Sequence, residues 1–189
     1  MPGAKIDPVL RGRTSYFVSA IGITQTLDLR KNPLVAPRGF VFDNTADLAT
    51  SAIGSDIDFI RGTARVSYYL SFAPEPVALF GEDLEKSALQ KWFERSLLAF
   101  GARSGVVYPL KTGGTGAVLA IPIDERFFSG GSTTVRSFDE RNLGPHDRSG
   151  NPIGGEIFTT FNVEYKFPYY GDLLGAVFVD AGKHLHDAR

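Results

Sequence analysis

Hydrophobic and polar residues alternate one by one along several segments of the chain. In residues 61–72, one set of alternate positions is mostly polar and includes Arg61, Thr63, Arg65, Ser67 and Ser71. Residues 156–167 repeat the pattern, and their apolar positions include Ile157, Phe161, Val163, Tyr165 and Phe167. A side-chain period of two is the period of a β-strand. Both segments are close to the ~9–11 residues that a tilted membrane-spanning strand requires.

Four further segments complete the predicted strands. Ser19–Arg30 and Phe40–Ser51 also alternate, and they predict a hairpin because the prolines and Gly39 between them break strand structure. Glu94–Tyr108 and Leu173–Gly182 alternate more loosely and predict two more strands. The chain therefore predicts about six antiparallel strands.

Two segments depart from strand alternation. Glu82–Arg95 has Leu84, Ala88, Trp92 and Phe93 at helical spacing. We expect a short surface helix or a strand extension there, with a membrane-surface or partner helix as the alternative. Lys111–Asn151, the main part of a loop over roughly residues 109–153, alternates little and is rich in Gly, Ser, Asp and Arg. Loops of that length are usually functional or disordered.

Composition narrows the classes of protein that remain. The 189 residues are 43% hydrophobic and 22% charged with a net charge of −1, which fits one folded domain and does not favour nucleic acid as a partner. Aromatic residues at 12% and 21 glycines suit strands and turns. Cysteine is absent, so no disulfide or thiolate site is expected. No apolar run approaches the ~18 residues of a membrane-spanning helix, and the first residues lack the apolar core of a signal peptide.

One apolar face on each strand is common to soluble β-sandwiches and membrane barrels. The opposite face distinguishes them better, because a barrel lumen is hydrated and tolerates charge. The polar positions here include Asp43, Asp47, Arg61, Arg65, Glu156, Glu164 and Lys166, and the apolar faces end in Phe and Tyr, which suit interfacial girdles. The pattern slightly favours an antiparallel transmembrane β-barrel over a sandwich.

A motif in the long loop resembles a known family. Residues 126–138 have the sequence Arg-Phe-Phe-Ser-Gly-Gly-Ser-Thr-Thr-Val-Arg-Ser-Phe, followed by Asn-Leu-Gly-Pro at 142–145. They resemble the sixth extracellular loop of the bacterial surface antigens, the outer-membrane assembly factors of BamA and TamA type, with the pattern R-F-F-x-G-G and then V/I-R-G-F/Y. Residues 154–168 and 175–182 resemble the two strands that follow that loop. Residues 28–39 and 54–59 resemble the family's periplasmic hairpin and the next loop.

The resemblance implies an outer-membrane barrel whose long loop folds into the lumen. Arg136 is then expected against Glu164 and Asp180, because a guanidinium keeps its charge and its fork of donors matches carboxylate oxygens. Strand positions agree, since Glu164 shares a face with Asn162 and Lys166. The other loop-motif residues are Arg126, Phe127, Phe128, Gly130, Gly131, Val135 and Phe138.

Two features depart from the family pattern. Ser137 stands where the family has a glycine, and a positive backbone angle is harder for serine. The family barrel has about sixteen strands, and even the smallest membrane barrel needs about eight. We therefore expect residues 1–189 to be a barrel fragment or truncated product that lacks the periplasmic domains, the first strands and the closing strands.

No catalytic residue, cofactor or metal site is predicted, and an enzyme is not expected. The Gly113-Gly114 and Gly130-Gly131 pairs lack the Gly-Lys-Ser/Thr of a nucleotide-binding loop. Neither a Gly-x-Ser-x-Gly elbow nor a His-Glu-x-x-His pattern occurs. His184 and His186 are expected to be solvated near the terminus rather than metal ligands.

The resemblance implies a component that assembles and inserts outer-membrane β-barrel proteins. Its partners would be outer-membrane lipid, unfolded outer-membrane proteins as substrates, and accessory assembly proteins. In that family a weakly closed seam lets substrate strands pair with exposed edge strands. A polypeptide-secretion pore of the same superfamily shares the loop motif and is the first alternative. A soluble β-sandwich binding module, which would be monomeric without detergent, is the second.

Overall fold

In the part of the chain that the structure describes, six strands form one antiparallel sheet in chain order, which confirms the predicted strand number and pairing. The computed structural model describes residues 16–31, 38–72, 87–110 and 121–185. The strands are β1 (Ala20–Asp28), β2 (Gly39–Ala49), β3 (Phe59–Ser71), β4 (Leu97–Pro109), β5 (Ile157–Tyr170) and β6 (Leu173–Leu185). A helix, α1 (Ala88–Glu94), lies between β3 and β4. No helix in these described ranges is both long and apolar enough to cross a membrane.

Helix α1 accounts for part of the segment predicted to have helical spacing. Ser87 caps it, because its side chain accepts from the Gln90 backbone N–H while the Gln90 side chain accepts from the Ser87 N–H. Residues 82–86 lie outside the described part of the chain. The predicted start of β4 at Glu94 is wrong, because Glu94 ends the helix and the strand begins at Leu97.

Strand β6 extends three residues beyond its predicted end at Gly182. His184 therefore lies in a strand, is only 9% exposed and stacks on Phe158 at 5.8 Å between ring centroids. The expectation that His184 is solvated is wrong, because the long loop covers this end of β6 and Gly144 packs against the imidazole. His186 lies outside the described residues.

Strand pairing divides the side chains between two faces. One, here called the loop face, carries Asp47 opposite Arg61 and Asn162 opposite Asp180. The other, the outer face, carries large apolar residues that are 39–70% exposed and include Ile21, Ile23, Val66, Phe100, Phe161, Val163, Val177 and Val179. A β-sandwich covers its apolar face with a second sheet. The described residues form one sheet, and no second sheet covers that face within them.

The buried apolar core lies on the loop face, at the end where the long loop joins β4 to β5. It consists of Ala49, Ile57, Phe59, Val107 and Ile121, and Tyr16, Val18 and Phe127 pack against it. Part of the long loop covers this end of the sheet, because Ile121 and Phe127 of the loop belong to or pack against the core. The loop is therefore part of the fold.

Candidate functional site

The described part of the long loop, residues 121–156, is ordered by its own backbone pairs. Short antiparallel bridges join Phe127 to Gly155, Ser129 to Leu143 and His146 to Pro152. These bridges fold the loop into two arms that lie together. The loop is thus a compact substructure that can present side chains at fixed positions.

The first motif residues attach the loop to itself and to the wall. Arg126 donates from Nε to the Ile121 carbonyl at 2.8 Å and from Nη1 to the Ile153 carbonyl at 3.1 Å, which ties the two arms. Burial lowers the pKa of Arg126. The Phe127 ring packs on Phe158 of β5 with 4.7 Å between centroids. At the rim, the Arg141 guanidinium lies 4.0 Å above the centre of the Phe128 ring.

The glycine pair permits the sharp turn at the loop tip. Gly130 and Gly131 have φ angles of +114° and +85°. A Cβ atom on Gly130 would lie 2.2 Å from the Asp139 carbonyl oxygen, which no side chain tolerates. The Gly131 N–H donates to the Phe138 carbonyl at 2.8 Å and closes the tip.

Three residues complete the tip. Val135 is 1% exposed, and it lies directly over Gly182 of β6. Phe138 remains 43% exposed, although its N–H donates to the Val135 carbonyl at 3.2 Å. Ser137 lies inside this turn without a positive φ, because Arg141 is the only non-glycine residue with one in the described ranges. The missing family glycine therefore causes no backbone strain here.

The turn directs Arg136 onto the two strands that follow the loop. Its Nε and Nη2 donate to the two oxygens of Asp180 at 2.9 Å each, a bidentate pair. Its Nη1 donates to Glu164 Oε2 at 2.6 Å, and its backbone N–H donates to Asp180 Oδ2 at 3.0 Å. Lys166 Nζ lies 3.2 Å from the other oxygen of Glu164. The structure thus brings the three sequence-predicted residues together.

The environment strengthens this cluster. The Asp180 side chain is 2% exposed, whereas those of Arg136 and Glu164 are 26% and 22% exposed. The Phe178 ring lies under the guanidinium, 3.4 Å from its central carbon. The hydrogen bonds that Arg136 donates to Asp180 and Glu164 raise the pKa of Arg136 above its ordinary value. Arg136 stays charged, and the cluster joins loop, β5 and β6 through one cation.

Comparison with known proteins identifies the family. Residues 5–187 match the Omp85 superfamily domain. The chain belongs to the Omp85 superfamily. The outer membrane protein assembly factor BamA of Nitratidesulfovibrio vulgaris (strain Hildenborough) is 28% identical over 172 residues, which cover 90% of this chain and 18% of that protein. The chain thus spans less than a fifth of the length of that relative. These findings confirm the resemblance to outer-membrane assembly factors of BamA and TamA type.

As a member of the Omp85 superfamily, the protein is an outer-membrane protein, and its sheet is part of a transmembrane barrel wall. The loop face, which carries the charged residues and the long loop, is the lumenal face. The uncovered apolar outer face meets lipid.

A second ion-pair cluster fixes the long loop to the wall just before its motif. Arg61 of β3 donates from Nη1 to Glu125 Oε2 at 3.0 Å and from Nε to Asp47 Oδ2 at 3.1 Å. Sequence patterning placed Asp47 and Arg61 on polar faces but did not single out Glu125, which immediately precedes the motif. In the described part of the chain, no three His, Asp or Glu side chains are grouped to hold a metal ion.

Proposed function

We propose that this chain forms a wall segment and the lumen brace of an outer-membrane protein that assembles and inserts other β-barrel proteins. The proposal rests on the ion pairs that Arg136, in a loop with the family motif, forms with Asp180 and Glu164. The likeness to a protein named as an outer-membrane assembly factor supports it.

The role of the brace follows from its position. An insertase barrel has to open at one seam so that a substrate strand can pair with an exposed edge. The rest of the wall must then hold its shape without that seam. Arg136 ties β5 to β6 from the lumen, and Arg61 with Glu125 ties the same loop to β3, so the loop stiffens the wall away from the opening.

The proposed substrates are unfolded outer-membrane proteins, and accessory assembly proteins are the proposed partners. The surrounding lipid of the outer membrane is the medium into which substrates are released. No catalytic group or cofactor enters this mechanism, because strand pairing and burial drive it.

The test is complementation in a bacterium depleted of the full-length protein. Wild-type protein should restore the folded outer-membrane barrel proteins, and Arg136→Glu should not. The matched control is Arg148→Glu, an exposed arginine of the same loop that should restore them fully. If depletion leaves barrel proteins at normal levels, the assembly proposal is wrong.

The same experiment distinguishes the secretion pore. A pore of this superfamily would export a dedicated polypeptide, so its depletion would remove that polypeptide from the medium and spare the folded barrel proteins. That outcome would replace assembly with secretion and would leave the brace geometry intact.

A further inference from the structure

Helix α1 packs against the outer face of the barrel wall, at the end opposite the long loop. Trp92 donates from its indole N–H to the Pro168 carbonyl at 2.9 Å. Its ring lies 6.2 Å from Tyr165 and 6.0 Å from Phe167, centroid to centroid. Tyr165 and Phe167 belong to the outer face, because they alternate with Glu164 and Lys166 of the loop face. Trp92 therefore fixes the helix to the side of the wall that meets lipid.

Two pairs of exposed side chains flank this anchor, one apolar pair within α1 and one basic pair that includes the C-cap residue Arg95. Leu89 and Phe93 are one turn apart and are 66% and 47% exposed. Phe93 also meets Phe72, at the end of β3, edge to face at 6.4 Å. On the other side of Trp92, Lys91 and Arg95 are one turn apart and exposed. The helix thus has an apolar strip and a basic strip, on either side of an aromatic contact with the wall.

A cavity of about 260 Å³ lies between α1 and the turn that joins β5 to β6. The basic strip and Trp92 line one side of it, and Tyr169 and Tyr170 line the other. These tyrosines are 77% and 79% exposed. Arg95 Nη2 donates to the Gly171 carbonyl at 3.0 Å and lies 3.9 Å from Asp172. A guanidinium has five N–H donors, so these contacts do not use them all.

A lipid environment explains this combination of aromatic, apolar and basic residues better than an aqueous environment does. Two exposed tyrosines and a half-buried tryptophan at the end of a lipid-facing wall suit the headgroup level, where one end of each ring is apolar and the other is wet. A short amphipathic helix at that level buries its apolar residues in the upper acyl region. Basic residues beside it attract lipid phosphates.

We propose that α1 and the β5–β6 turn form an interfacial phospholipid site. Leu89 and Phe93 enter the boundary between headgroups and acyl chains, and Lys91 and Arg95 bind the phosphate of a headgroup in the cavity. The site attaches α1 to the membrane surface at the end of the barrel opposite the long loop. It depends on the outer-membrane location of the wall and not on the assembly function proposed above.

The first test measures the depth of the helix in the full-length protein reconstituted in phospholipid vesicles. A single cysteine at Leu89, labelled with a fluorophore, is compared with one at Arg148 in the long loop. Lipids brominated near the headgroup should quench the Leu89 label several-fold more than the Arg148 label. Equal quenching in a folded barrel would overturn the proposal. A Leu89 label shielded from both brominated lipid and aqueous iodide would overturn it too, because protein would then cover the helix.

The second test addresses the basic strip. Spin-labelled phosphatidylglycerol should associate with the wild-type protein more than spin-labelled phosphatidylcholine does. Lys91→Gln should reduce this preference about fivefold, which is the contribution of one basic residue near a membrane surface. Arg148→Gln, which removes an exposed positive charge from the long loop, is the control and should leave the preference unchanged. An unchanged preference in Lys91→Gln would refute the phosphate site.

Discussion

The loop face and the outer face are built from alternate residues of the same six strands, yet their side chains are stabilised in different ways. On the loop face, Arg136, Asp180 and Glu164 satisfy one another at 2.6–2.9 Å. On the outer face, Phe161 and Val179 are 55% and 70% exposed without a covering layer. The lumenal side is organised by specific polar pairs, whereas the outer side depends on an apolar medium. Stability should therefore respond to charge in opposite ways on the two faces.

Removing the buried carboxylate of the loop face should have the largest effect. Asp180→Asn keeps the shape of the side chain and removes the negative charge that pairs with Arg136. The Asp180 side chain is only 2% exposed. Breaking one member of a buried pair costs about 3–5 kcal/mol. Urea unfolding of the reconstituted protein should show this loss. Asp172→Asn, fully exposed in the β5–β6 turn, is the control and should change nothing measurable. A loss below about 1 kcal/mol would mean that water screens the pair.

Adding a charge to the outer face should have the next largest effect. Val179→Arg places a guanidinium in the middle of β6, where lipid contact makes it cost about 2–4 kcal/mol. Leu173→Arg lies at the end of the same strand and should cost at most about 1 kcal/mol. The free energy of unfolding in vesicles measures both. If the two variants were equally stable, the outer face would not lie across a membrane.

Crowding the contact between loop and wall should have an intermediate effect. A Cβ atom on Gly182 would lie 2.8 Å from methyl groups of Val135 and Leu143. Gly182→Ala should therefore lift the loop tip and cost about 1–3 kcal/mol. Faster trypsin cleavage after Arg136 or Arg141 would report the lifted tip. Gly62→Ala should leave cleavage at the wild-type rate, because its Cβ would lie on the outer face, 4.0 Å from the Thr45 carbonyl oxygen.

The smallest effect concerns pH at the start of the described chain. Burial and the 2.8 Å hydrogen bond to Asp124 of the loop raise the pKa of Tyr16 from 10.0 to about 12. A raised pKa means that the folded state favours the protonated phenol, so its contribution is present below pH 10 and lost as pH rises through about 12. Thermal unfolding of wild type and Tyr16→Phe at rising pH should show this loss in the wild type alone. Parallel pH curves would contradict the role of Tyr16.

Alternation predicted the strands because their side-chain period reflects only which face each residue occupies. It failed where burial comes from residues distant in the chain. Gly182 and His184 carry no apolar pattern, yet the long loop covers them and β6 continues to Leu185. The start of β4 was predicted wrongly for a different reason: Glu94 fits the pattern of a strand as well as it fits the end of a capped helix.

The candidate site was predictable in part. Strand positions placed Glu164 and Asp180 on one face, but only the family motif indicated that Arg136 would reach them from a loop. The contact between Glu125 and Arg61 joins residues 64 positions apart through the fold of that loop. Neither charge pattern nor strand period carries information about such a contact.

The most direct test of the account is a charge exchange between Arg136 and Asp180 in the full-length protein, read by the heat-modifiable gel mobility of the folded barrel. Arg136→Glu places a third carboxylate beside Asp180 and Glu164, so we expect the folded band to be lost. Adding Asp180→Arg restores a pair of opposite charges, so the folded band should return at least in part. If Arg136→Glu keeps the folded band at wild-type intensity, the loop arginine does not brace the barrel.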